Sequence, residues 1–142
     1  MAVKPSEYKS GSVKEITLPS GEKWRIRRIP FDALSEFITI LGLKFEKGKA
    51  PTQIEQTFSL ELDKPDFKNK LVQMTKIVLP ACSVDPKIIL SGDSSDDYIL
   101  YSEIKPMHVF DLFFEMLDFS DLSEAAMKGR EKFQQESDGK TS

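Results

Sequence analysis

The sequence is poor in the side chains from which most catalytic and metal sites are built. Its 142 residues include one cysteine, Cys82, and one histidine, His108. A single cysteine excludes a disulfide or a cysteine-based metal cluster within one chain, and a single histidine makes the usual metal sites and catalytic triads hard to assemble. We therefore expect no enzyme activity, no metal and no cofactor.

Long apolar runs are also missing. No run approaches the roughly 18 residues that a membrane-spanning helix needs, and the residues after Met1 contain no apolar segment typical of a secretory signal. We expect a protein of a cytoplasm with no membrane partner. The chain is long enough to bury a core, so we predict a single globular domain over residues 13–136, with a flexible arm at 1–12 and a flexible tail at 137–142.

Charge is unevenly distributed, although the net charge is only −3. Basic side chains predominate from Met1 to Arg28, and acidic ones predominate from Leu90 to Glu124. Opposite ends of opposite charge could join copies of the chain head to tail or pair within one molecule, and pairing within the molecule is the simpler interpretation. The basic cluster is short and has only Trp24 as an aromatic neighbour, so we expect no nucleic-acid partner.

The first regular structure is predicted to be a β-hairpin over residues 13–29. Two β-prone runs, 13–18 and 23–29, flank a Pro-x-Gly turn signal at 19–22. The alternation of side chains predicts that four apolar residues point inward: Ile16, Leu18, Trp24 and Ile26. A lone two-stranded hairpin is marginal in water, so it must lie on helices or pair with another strand, which would be a route to oligomers.

Helical periodicity dominates the remaining part of the domain, residues 30–136. The spacing of apolar residues and the positions of prolines predict five helices. The first covers about 31–43, the second begins at Pro51, and the third covers about 65–79 and is ended by Pro80. The fourth covers 106–119, and the fifth begins after a cap at Ser120-Asp121. Gly129 weakens the last of these. The predicted fold class is α+β, mainly α, with an N-terminal β-hairpin followed by a bundle of about five helices.

The segment 106–119 is the most apolar of these helices, and the others are expected to be arranged around it. Its polar residues His108, Asp111, Glu115 and Asp118 form one narrow stripe, and nearly everything else on it is apolar. Such a helix must be covered on at least two sides. Either the rest of the chain wraps it as a central core helix, or part of its surface meets another chain.

Two other features invite a chemical interpretation. A nucleophilic cysteine needs a base nearby, and the only histidine already lies in the polar stripe of the later helix, so Cys82 is predicted to be a buried structural residue. The acidic run 90–97 lacks the ligand spacing and the closing glutamate of an EF-hand, so it is predicted to be an exposed loop.

Three segments carry a resemblance to a known family. The run 16–28, Ile-Thr-Leu-Pro-Ser-Gly-Glu-Lys-Trp-Arg-Ile-Arg-Arg, is similar to the "LPSG, then basic strand" opening of the tail assembly chaperones of long-tailed bacteriophages. The run 79–86, Leu-Pro-Ala-Cys-Ser-Val-Asp-Pro, and the later acidic-to-aromatic helix add to the likeness. In layout, the resemblance covers most of the chain.

The resemblance implies a small, mainly helical protein of the host cell cytoplasm that binds the tape measure protein, keeps it soluble during tail tube assembly, and is absent from the mature virion. It also implies possible self-association and a longer, frameshifted form. A chaperone that keeps an apolar partner soluble needs apolar surface to bind it. We therefore predict six partner-binding residues: Trp24, Phe110, Phe113, Phe114, Leu117 and Phe119. The alternative is a structural tail or head-tail connector component whose hairpin forms an intersubunit sheet in a ring.

Overall fold

A computed structural model describes residues 4–5, 12–42 and 51–141. In the last of these ranges, side chains are described for residues 54–132. The predicted arm, 1–12, and the loop predicted at 44–50 lie almost wholly outside the described residues. Five helices and a few strands make up the described part, with a β-strand pair at the N-terminal end. The predicted fold class is confirmed.

The predicted hairpin consists of β1 (Val13–Thr17) and β2 (Lys23–Arg27), which pair antiparallel with Ile16 opposite Trp24. The connecting turn contains Gly21, whose φ of 98° is a conformation that L side chains rarely adopt. All four predicted inward residues are buried. The alternation of apolar and polar residues therefore identified the face of the hairpin that packs on the core.

The hairpin gains a third strand from its own chain. Strand β3 (Ser83–Asp85) pairs antiparallel with β2, so the described sheet has the order β1, β2, β3. The sequence analysis expected the hairpin to lie on helices or to pair with another strand. In the described part of the chain that strand is β3 of the same molecule, which supplies the hydrogen bonds that β2 needs on its second edge.

Among the described residues, three α-helices precede the central one: α1 (Phe31–Ile40), α2 (Pro51–Glu61) and α3 (Phe67–Cys82). The prediction that Pro80 ends α3 is wrong, because the helix continues past it to Cys82. A proline inside a helix removes one backbone hydrogen bond. The last turn is closed by the backbone N–H of Ser83, which donates to the carbonyl of Leu79, and α3 packs on its neighbours. Tertiary packing therefore offsets the lost bond.

A small parallel pair of strands was not predicted. Strand β4 (Lys87–Ile89) pairs with β5 (Tyr98–Leu100), and a short 3₁₀ helix (Tyr101–Glu103) follows. The segment 90–97 that connects the strands is exposed throughout, as predicted. Three-residue strands carry too little alternation to stand out in a sequence.

The central helix α4 (Pro106–Phe119) has the predicted bounds, and α5 (Ser123–Thr141) follows it. Asp121, with a φ of 66°, ends α4 instead of capping α5 as predicted. The N–H of Ala125 in the first turn of α5 is satisfied from α2, by the Glu55 carboxylate at 3.0 Å. Residues 137–141, predicted to be part of a flexible tail, have a helical backbone.

The core lies between these helices and the inner face of the sheet. Helix α3 packs against both α1 and α4, while α5 packs against α4 and α2. Strand β2 rests on α4. The central helix is therefore covered by α3, α5 and the sheet, which is the core-helix alternative that sequence reasoning left open.

Candidate partner-binding site

Four of the six predicted partner-binding residues lie inside the molecule. Phe113 and Leu117 are at most 1% exposed, and Phe114 and Trp24 are also buried. In this conformation the surplus apolar surface expected on α4 is covered by the chain's own elements. The physical reason is that α3, α5 and β2 together cover a far wider arc of the helix than the single face buried by a surface helix. Binding by these four side chains stays a prediction that requires the fold to open.

The other two predicted residues, Phe110 and Phe119, are partly exposed and pack against the edge of the core. At the end of α4, the ring of Phe119 has the Arg28 guanidinium 4.9 Å and the Lys14 ammonium 5.9 Å from its centroid. The backbone N–H of Ile29 donates to the Ser120 hydroxyl at 2.9 Å. Cation–π contacts and this hydrogen bond therefore attach the hairpin to the C-terminal end of α4.

Four phenylalanine rings connect the helices beneath the surface. The Phe37 ring of α1 lies 6.5 Å from both Phe58 of α2 and Phe113 of α4. Phe58 also meets Phe67 of α3 edge to face at 5.7 Å. All four are buried, and such ring pairs add about 0.5–1.5 kcal/mol each beyond their burial. We call Phe37, Phe58, Phe67 and Phe113 the aromatic cluster.

Helix α2 contributes Phe58 to this cluster. Its inward residues Ile54 and Phe58 are four apart, which places them on one face, and the buried Leu62 follows directly after the helix ends. Phe58 is fully buried, whereas Leu60 on the same helix is 72% exposed. Helix α2 is thus a short amphipathic helix whose Phe58 ring contacts rings of α1 and α3.

Polar contacts hold α2 at both ends. Near its start, Glu55 accepts the hydrogen bond from the Ala125 N–H of α5. At its C-terminal end, the buried Glu61 accepts hydrogen bonds from Lys64 and Lys70, each at 2.9 Å. The hydrogen bond from Lys64, followed by that from Lys70, holds the pKa of the Glu61 carboxyl below its ordinary value of 4.5. The ionised carboxylate therefore ties α2 to the start of α3.

Close packing of α5 on α4 depends on Gly129. A Cβ placed on Gly129 would lie 2.5 Å from the Cε1 atom of Phe114. Ala125 and Ala126 are fully buried on the same helix. The sequence signal for this contact is the set of small residues at 125, 126 and 129, of which Gly129 was interpreted only as a weakness of the helix.

Two hydrogen bonds satisfy buried polar groups in ways that were not predicted. The indole N–H of Trp24 donates to the Ser83 hydroxyl at 2.7 Å, and Thr75 bonds the Tyr101 hydroxyl at 2.7 Å. Each joins elements far apart in the sequence. Ordinary serine, threonine and tyrosine residues give no sequence signal for such pairs, because the contact depends on the three-dimensional fold.

Cys82 is fully buried at the end of α3, as predicted. Burial raises the pKa of its thiol to about 12, so the nucleophilic thiolate is strongly disfavoured. His108 lies elsewhere: its Nε2 is 2.8 Å from the Ser20 hydroxyl in the hairpin turn. Ser20 donates its hydroxyl hydrogen to Glu22, so the carboxylate bonds the serine instead of orienting the imidazole as in a catalytic triad.

Within the part of the chain that the structure describes, no group of three or more histidine, cysteine, aspartate or glutamate residues is arranged to hold a metal ion. Among the same residues, no helix combines the length and apolar character needed to cross a membrane. The sequence matches no protein-family model, and comparisons with curated proteins and with solved structures gave no match.

Proposed function

We propose that this protein is a tail assembly chaperone of a long-tailed bacteriophage, which binds the tape measure protein in the host cytoplasm and keeps it soluble while the tail tube assembles. The observation that carries the proposal is the run 16–28, whose residues resemble the opening of that family. The mainly helical fold with a hairpin over these residues supports it.

The surface adds modest physical support. Large apolar side chains are exposed at scattered positions on α1, α2, α4 and α5, at Phe31, Leu60, Met107 and Met127. These side chains are available for contact with the hydrophobic helices that the resemblance implies for a tape measure protein. The aromatic cluster lies in the core and adds no exposed surface.

Co-expression tests the proposal. The tape measure protein is produced alone, with this chain, or with an unrelated small helical protein as the control. We expect more soluble tape measure protein only in the presence of this chain, and the two proteins should co-purify. An unchanged soluble yield, together with no co-purification, would refute the proposal.

The composition of purified phage particles distinguishes a chaperone from a structural tail or head-tail component. A chaperone leaves during assembly, so mass spectrometry of purified virions should not find this chain. A stable stoichiometric amount in the particles would instead favour a structural tail or head-tail component. In that case the sheet formed by β1, β2 and β3 would be the first surface to examine for contacts between subunits.

A further inference from the structure

We draw no further inference here: the strongest candidate, the row of exposed basic side chains on the outer face of β2 (Lys23, Arg25 and Arg27), is flanked by the carboxylates of Glu15 on β1 and Asp85 on β3, and nothing in the structure shows what covers it.

Discussion

Replacement of Gly129 by alanine tests the close packing of α5 on α4, because two opposing effects of known size meet at this residue. Alanine in a helix is favoured over glycine by roughly 0.5–1 kcal/mol. The new Cβ, however, would lie 2.5 Å from Cε1 and 3.1 Å from Cζ of Phe114. That ring is buried and packs 5.5 Å from the Phe113 ring, so it has little room to move.

Overpacking of a well-filled core typically costs about 1–3 kcal/mol. The overpacking cost should exceed the gain in helix propensity, and we expect Gly129→Ala to lower the free energy of unfolding by about 1 kcal/mol. For a domain of this size, that change corresponds to a melting temperature lower by about 4 °C. Urea denaturation followed by circular dichroism measures the difference.

A double-mutant cycle with Phe114→Leu attributes the effect to the ring. In the Phe114→Leu background the clash is relieved, so Gly129→Ala should become neutral or stabilising, with a coupling free energy of about 1 kcal/mol. A Gly129→Ala protein that is more stable than the wild type would refute the packing described for α5, because helix propensity alone would then account for the result.

Buried groups give three further expectations. The pKa of Glu61 is lowered in the folded state, so its contribution to stability is present above its ordinary value of 4.5 and is lost as pH falls through the lowered value. The free energy of unfolding, measured by urea titration, should therefore fall less with decreasing pH for Glu61→Gln than for the wild type. An equal dependence on pH in the two proteins would contradict the tie between Glu61 and α3. Phe113→Asp buries an unpaired charge and should abolish cooperative unfolding, whereas Phe119→Asp at the partly exposed end of α4 should leave a folded protein; a folded Phe113→Asp variant would contradict its burial. Cys82 should react with a thiol reagent only at the rate of unfolding, and fast labelling of the native protein would show that the thiol is accessible.

Sequence periodicity was most informative where an element has one apolar face or one strong boundary. Ile16 and Trp24 alternate with polar residues, so the inward face of the hairpin could be predicted. Pro106 starts α4 as expected, because proline is well tolerated in the first turn of a helix. The same reasoning about proline failed at Pro80, where tertiary packing carries α3 on to Cys82.

The apolar excess of α4 could be recognised from the sequence, but the surface that covers it could not. Periodicity shows that a side chain such as Phe113 must be buried, and does not show whether another element of the same chain or a partner buries it. The cover is supplied by α3, α5 and the sheet, which are elements of the same chain. Likewise, the hydrogen bond between Trp24 and Ser83 depends on β3, and a strand of three residues is too short to be predicted from the sequence.

Hydrogen exchange of the free protein is the most direct test of the packing that covers α4. We predict that the amides of α4 are strongly protected, because α3, α5 and the sheet bury this helix on several sides. Amides of α4 that exchange as fast as those of the exposed segment 90–97 would contradict this account.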